Sequence, residues 1–281
     1  MPSLTQDQIE HYREHGYLVV PGVLTEDEME RYRTRAREIV LGDVPEGAAN
    51  RRVVDIAYAK GLRPMPEDPE HAIWKIMNPD RFDATFQDFM RTPAVLDAVE
   101  SLLGPDLIAF LLMFIYKPLH LESSVHPFHQ DALYFPFQPQ NLCCGVWIPL
   151  DDVDADNGTL EIVPDSHKRD LMKHEVREGI NFGALAASDV EGNADEHANS
   201  IAIEIPAGDC LLFNTRMLHR SGGNRTGRHR RVMTLHMASS KCEPTGPQFS
   251  EFGFTSVRGR TYDGCLQPVE APNLAIRHEM V

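Results

Sequence analysis

Three residues, His129, Asp131 and His219, have the types and spacing to hold one divalent metal ion. Two imidazoles and a carboxylate are the facial set used by non-heme Fe(II) oxygenases, and they leave three coordination positions open. In an extended strand residues i and i+2 project to the same side, so His129 and Asp131 can both reach one ion. The same parity puts Pro127 on the ligand side and turns His126, Phe128 and Gln130 away from it. The third ligand must come from a strand that folding brings alongside, and His219, with Ser221 on its side, is the best placed.

After His219 the chain turns through Gly222-Gly223-Asn224 and Thr226-Gly227 and returns through Arg230 and Arg231. Arg230, Val232, Thr234 and His236 share one side of the returning strand, whereas Arg231, Met233, Leu235 and Met237 share the other. The Met/Leu side suits a core layer and the mixed polar side suits a site, which selects Arg230. A guanidinium meets a carboxylate through two parallel N–H donors. A metal site with such an anchor suits 2-oxoglutarate, which chelates through its C1 carboxylate and keto oxygen and leaves its C5 carboxylate to be gripped remotely.

The elements that must position these residues fall into two regions. Up to about residue 106 the pattern is mainly helical. Thr5 caps a segment beginning at Gln6, Thr25 and Glu28 form a capping box, and a further helix covers roughly 92–103 before Gly104-Pro105. Tyr17–Val20 reads as a short strand, and residues 42–72 as an irregular excursion. From 107 to about 240 short β segments follow one another: Leu107–Tyr116, Cys143–Leu150, Thr159–Val163, Ile201–Ile205, Cys210–Phe213 and Arg231–Ala238. Turn clusters such as DADNG, PDSHK and PAGD punctuate them. The prediction is a mainly β sandwich or barrel of jelly-roll type with flanking N-terminal helices and a C-terminal extension over 241–281, all in one domain. Residues 168–200 read as a long loop over one mouth of the barrel.

The 281 residues carry 27 Lys and Arg against 42 Asp and Glu, a formal charge of −15, which argues against a nucleic-acid or anionic-membrane partner. Cys143, Cys144, Cys210, Cys242 and Cys265 are odd in number and lack CxxC spacing, so they read as free thiols of a reducing compartment. No stretch approaches the ~20 apolar residues of a membrane helix. Neither end carries a recognisable address, and the expected location is cytoplasmic. His11, His15, His71, His174, His197 and His278 have no supporting context. Tyr134 and Phe135 are candidate walls for a small-molecule substrate.

The chain resembles the phytanoyl-CoA dioxygenase family of Fe(II)/2-oxoglutarate oxygenases. The motifs that carry the resemblance are HPFHQDALYFPF at 126–137, GVWIPLDD at 145–152, NGTLEIVPDSHK at 157–168 and HRSGGNRTGRHRR at 219–231. The resemblance implies a double-stranded β-helix with His129, Asp131 and His219 on iron and Arg230 and Ser221 on the 2-oxoglutarate carboxylate. It also implies that Lys75 in WKIMNP, Met113 and Trp147 line the cosubstrate pocket. The implied reaction consumes O2, releases succinate and CO2, and hydroxylates an aliphatic C–H bond. Asp131 favours hydroxylation over halogenation, because related halogenases place a small residue there. The segment after Lys117-Pro118, Leu119–Ser124, departs from the Pro-Gly-rich version of the peroxisomal enzymes and leaves the substrate open. Two other readings stand beside this one. A non-catalytic jelly-roll binding or sensor module would share the fold. A zinc-dependent hydrolase would share the two His and one carboxylate, without need of Arg230 or Ser221.

Overall fold

The structure is a computed structural model, and it describes residues 3–45, 48–176, 185–187, 194–246 and 253–269. The chain opens with α1 (Gln6–His15), β1 (Tyr17–Val20), α2 (Glu26–Leu41), β2 (Arg52–Val54), α3 (Ile56–Ala59), β3 (Ile73–Met77), α4 (Ala84–Phe89) and α5 (Pro93–Leu103). It continues through β4 (Leu107–Tyr116), β5 (His126–His129), β6 (Phe137–Gln138), β7 (Cys143–Pro149), β8 (Leu160–Ile162), β9 (His174–Val176) and β10 (Leu185–Ala187). The remaining elements are α6 (Ala194–Asn199), β11 (Ile201–Ala202), β12 (Cys210–Asn214), β13 (His219–Ser221), β14 (Arg231–Ser239), β15 (Glu243–Pro244) and β16 (Thr255–Arg258).

Both N-terminal helices start at the expected caps, and the Thr5 cap is a capping box like that of Thr25. Thr5 exchanges hydrogen bonds with Gln8, and Thr25 with Glu28. A left-handed glycine ends each of them, Gly16 at φ 80° and Gly42 at φ 112°.

Two antiparallel sheets form the jelly roll. The larger runs β1-β12-β7-β14-β4-β3-β2, with β16 also paired to β4, and the smaller runs β11-β8-β13-β5. Residues 1–106 therefore do more than flank the roll. Their strands β1, β2 and β3 are part of its large sheet, and β16 joins from beyond residue 240. The excursion expected over 42–72 likewise contains β2 and α3, held by the Asp55 side chain, which caps α3 through the Ala57 amide at 3.0 Å. β2 has three residues and α3 four, too few to show periodicity.

One face of the large sheet packs on the helices, uniting Met29, Ile39, Phe86, Phe89 and Val99 with Phe114, Val146, Met233, Leu235 and Met237. The other face meets the small sheet through Trp147, Leu160, Ile162, Leu211, Phe213 and Val232. Arg231, Met233, Leu235 and Met237 thus lie on the opposite side of β14 from Val232, as parity requires.

A bulge in β4 sets its side-chain directions. Leu111 has φ 51°, and the register with β14 slips so that Thr234 faces Met113 while His236 faces Phe110. Before the bulge Leu107 and Ala109 point to the helices; after it Leu112, Phe114 and Tyr116 do. Met113 and Ile115 are thereby turned inward. Re-aiming a side chain beside a site is what such an insertion accomplishes. Within the segment expected to be a loop over 168–200, β9 and β10 pair as a short antiparallel hairpin, and residues 177–184 and 188–193 lie outside the described residues.

Candidate metal centre

β5 and β13 lie side by side in the small sheet, with His129 and His219 in register and their ring centroids 4.1 Å apart. The strand ends at His129, earlier than expected, and Asp131 begins a single 3-10 turn over Asp131–Tyr134. Gln130 between them stays extended at φ −123° and ψ 118°, so the i, i+2 relationship survives the end of the ladder. All three side chains are buried, and one donor atom from each lies within 4.8 Å of the others. His129 Nε2 and His219 Nε2 are 3.3 and 3.7 Å from Asp131 Oδ1. Among the described residues this is the only such group of three.

The far side of each group is tied down. His129 Nδ1 lies 2.9 Å from the Pro127 carbonyl oxygen, and His219 Nδ1 lies 3.0 Å from that of Met217. A carbonyl only accepts, so each Nδ1 donates and each Nε2 lone pair is turned toward the common point. Asp131 Oδ2 is 2.9 Å from His236 Nε2, which leaves Oδ1 facing the two imidazoles. Burial opposes ionisation of Asp131, yet His219 and His236 outweigh it and hold the carboxyl well below its usual range. Burial, reinforced by His129, pushes His219 down to about 4. An ionised Asp131 carboxylate beside a neutral His219 imidazole is the protonation state that metal binding needs.

His126 corrects the parity reading. It was expected to face away from the ligands, but its ring lies 4.2 Å from that of His129 and stacks 6.0 Å from Trp74. The cause is a second bulge: His219 faces His129 but Ser221 faces His126, so four residues of β5 oppose three of β13. The extra residue flips the alternation.

The opposite wall is the large sheet. Lys75 on β3 is in register with Ile115 on β4, and Met113 with Thr234 on β14, itself opposite Trp147 on β7. All eight residues singled out in the sequence, His129, Asp131, His219, Ser221, Arg230, Lys75, Met113 and Trp147, line one cavity. Trp74, Lys117, Thr234 and His236 line it too. Thr234 and His236 were legible as partners of Arg230 on one strand face, whereas Trp74 and Lys117 carried no such signal.

Arg230 is 2% exposed, its Nε donates to the Gly158 carbonyl at 3.0 Å, and its guanidinium carbon lies 5.3 Å from the Trp147 ring centroid. Its Nη1 is buried without a partner, and burial lowers its pKa to about 9. A buried donor with no acceptor costs about 1–3 kcal/mol, more when charged, and a carboxylate at this end of the cavity would supply the acceptor. Lys75 is only partly exposed, its ammonium lies 3.9 Å from the Trp74 ring centroid, and burial pushes its pKa down to about 8. Two imidazoles and a carboxylate at one end, with an unsatisfied guanidinium at the other, fit an Fe(II) ion and a dicarboxylic 2-oxo acid.

Two further expectations are corrected and one is met. Tyr134 and Phe135 pack with Phe110 and Phe137 in a separate apolar cluster, where Phe135 lies edge-on to His236 at 4.9 Å, and neither lines the cavity. His174 has a context after all, since its Nε2 accepts from the Gln130 amide at 2.9 Å. Gln130 is structural, as its direction suggested: its side chain donates to Arg216 O at 2.7 Å and accepts from Met172 N at 2.8 Å.

Comparison with known proteins agrees with this geometry. The sequence profile of the phytanoyl-CoA dioxygenase family matches residues 12–232. The peroxisomal phytanoyl-CoA dioxygenase of Mus musculus is 31% identical over 246 residues, 85% of this chain and 70% of that protein. The probable phytanoyl-CoA dioxygenase of Caenorhabditis elegans is 31% identical over 244 residues, 84% of this chain and 76% of its own. Among solved structures, EctD from S. alaskensis with 2-oxoglutarate and 5-hydroxyectoine superposes with a TM-score of 0.68 at 18% identity, covering 96% of this chain and 88% of that one. The epimerase SnoN in complex with Fe3+, alpha ketoglutarate and nogalamycin RO gives 0.67 at 20% identity, covering 95% of each chain. At those identities the structural likeness establishes the fold.

Proposed function

The chain belongs to the phytanoyl-CoA dioxygenase family of Fe(II)- and 2-oxoglutarate-dependent dioxygenases, and from that premise we propose that it hydroxylates an aliphatic C–H bond of a small-molecule substrate. His129, Asp131 and His219 are assigned to the iron, Arg230 and Ser221 to the distal carboxylate of 2-oxoglutarate, and Lys75, Met113 and Trp147 to the walls around it. The observation that carries the assignment is the unpartnered buried Nη1 of Arg230 in the same cavity as the His-Asp-His group.

Iron, when bound, supplies the oxidative chemistry, which couples decarboxylation of 2-oxoglutarate to oxidation of the substrate. The chain's own residues do the rest. Pro127 and Met217 carbonyls fix both imidazole tautomers, and His236 fixes the carboxylate. The Trp147 ring, Met113 and Ile115 supply an apolar wall to the cavity, which would limit water around the bound cosubstrate. Ser221, buried on β13, offers a hydroxyl in the same cavity as the guanidinium.

The test is succinate release from 2-oxoglutarate across a substrate library, with Fe(II) and then Zn(II), and with Asp131→Ala as control. Iron-dependent succinate formation with any substrate supports the reading. Substrate consumed with zinc and without succinate would instead favour a hydrolase, and neither succinate nor substrate loss would favour a binding module.

One observation favours a particular member of that library. Arg63, His120 and Arg225, with Glu122 and Ser123, line an open surface cavity of about 540 Å3 on a protein of net charge −15. Its basic lining suits phosphates, as an acyl-CoA substrate carries, although Arg225 already pairs with Asp156 at 2.7 Å. Acyl thioesters of CoA and their free acids, assayed side by side, decide whether that cavity contributes.

A further inference from the structure

Lys117 has no part in the assignment above, yet it lies beside Arg230. The strand register sets Tyr116 opposite Arg231, and the Lys117 amide donates to the Arg230 carbonyl at 3.1 Å. The two side chains are therefore cross-strand neighbours, both line the cavity, and they are 3% and 2% exposed. Like charges directly opposite each other repel, and removal from water strengthens the repulsion.

Neutral oxygens hold both groups. Lys117 Nζ donates to the Ser124 carbonyl at 2.6 Å, while Arg230 Nε donates to that of Gly158. Among the described residues neither makes an ion pair. The acids nearest them are engaged elsewhere: Asp151 grips Arg231 at 2.6 and 2.9 Å, and Asp55 accepts from Ser124 Oγ at 2.6 Å and caps α3. Asp131, the one acid lining the cavity, faces the imidazoles. An ammonium has three donors, and one is directed to Ser124. Two buried basic side chains side by side, each tethered only to a carbonyl, form a pole that a carboxylate would bridge and stabilise in its charged form.

We infer that Lys117 is a second cation for the distal carboxylate of the cosubstrate, so that Lys117 and Arg230 together select a dicarboxylic over a monocarboxylic 2-oxo acid. The inference rests on the reading of Arg230 as the cosubstrate anchor. It gives the Asp55–Ser124–Lys117 chain a purpose, because that chain fixes the position of the Lys117 side chain within the cavity wall.

The experiment is an anaerobic binding titration of the Fe(II)-loaded full chain with 2-oxoglutarate and with 2-oxobutyrate, which chelates metal but lacks the distal carboxylate. The signal is the charge-transfer absorption of the chelate, so turnover is not required. Lys117→Met is expected to weaken 2-oxoglutarate by about 10- to 100-fold and to leave 2-oxobutyrate within about threefold of its wild-type affinity. Equal loss for both ligands marks a structural role and overturns the inference, as does no loss for either. Lys117→Gln, which keeps a donor for the Ser124 carbonyl, takes its place should the Met variant not fold. Arg230→Met separates the two levels. Unchanged 2-oxoglutarate affinity in that variant sinks the anchor assignment itself, whereas loss there with none at Lys117 sinks only the inference drawn here.

Discussion

His236 on the large sheet holds Asp131 of the small-sheet loop by a 2.9 Å hydrogen bond from Nε2 to Oδ2. The carboxylate is thereby fixed with Oδ1 toward His129 and His219, and the two walls of the roll are joined at the metal end. Partners that orient a ligand this way are worth about 10- to 100-fold in metal affinity. His236→Leu should lose that much in an Fe(II) or Mn(II) titration, and His236→Gln should recover part of it. Unchanged affinity in the Leu variant would remove His236 from the site.

Asp131→Ala should bring iron-dependent succinate formation to background while leaving the chain folded. The reason is local: the variant deletes the only anion among the three ligands and leaves the two imidazoles in place. Circular dichroism beside the succinate assay checks both halves. Iron-dependent turnover that persists in this variant would place the metal elsewhere.

Lys75 makes a pH-dependent prediction with two opposite signs. Burial lowers its pKa from 10.5 to about 8, so between those values the unfolded chain binds the extra proton and stability rises with pH through that window. Binding runs the other way. Below about pH 8 the ammonium is charged and attracts a carboxylate, and above it the attraction fades. The profile of kcat/KM for 2-oxoglutarate should carry an alkaline limb near 8 that Lys75→Met lacks. A limb that survives the substitution belongs to another group.

Gly145 occupies a close approach within the large sheet. A Cβ there would meet the Phe213 ring at 2.3 Å, and that ring packs 5.0 Å from His219. Gly145→Ala should cost about 1–3 kcal/mol in a denaturant melt by overpacking. Metal affinity should fall with it, because the displaced ring bears on a ligand. A neutral melt with wild-type affinity would show that the ring has room to retreat.

Gln130→Leu removes both side-chain hydrogen bonds that tie Arg216 and Met172 to the ligand segment. Hydrogen exchange at residues 172–174 should accelerate, with a stability loss of about 1–3 kcal/mol for the buried backbone groups left unpaired. Protection at those amides equal to wild type would contradict the clamp.

Much of the site was legible because its signals are local in sequence. The i, i+2 spacing of His129 and Asp131, the alternation that chose Arg230 over Arg231, and the Thr25/Glu28 capping box each depend on a few neighbouring residues. His126 was misplaced for the opposite reason. Its direction depends on a bulge created by pairing with β13, and nothing in HPFHQD announces the extra residue. β3 was missed because its five residues lie between turns and gain their strand character from β4. The Asp131–His236 bond spans 105 positions, so only the folded chain reveals it.

The proposed metal ligands stand on β5, β13 and the turn after β5, whereas Arg230, Lys75, Met113 and Trp147 stand on or beside the large sheet. Iron and 2-oxoglutarate bound together would therefore act as a clasp across the sandwich, the iron gripped by the small sheet's side and 2-oxoglutarate by the large sheet with Ser221 of β13. Thermodynamic reciprocity then requires that either ligand raise the affinity for the other by the same factor. The melting temperature should rise most when both are present, since the pair adds a further link between walls already joined by Asp131 and His236.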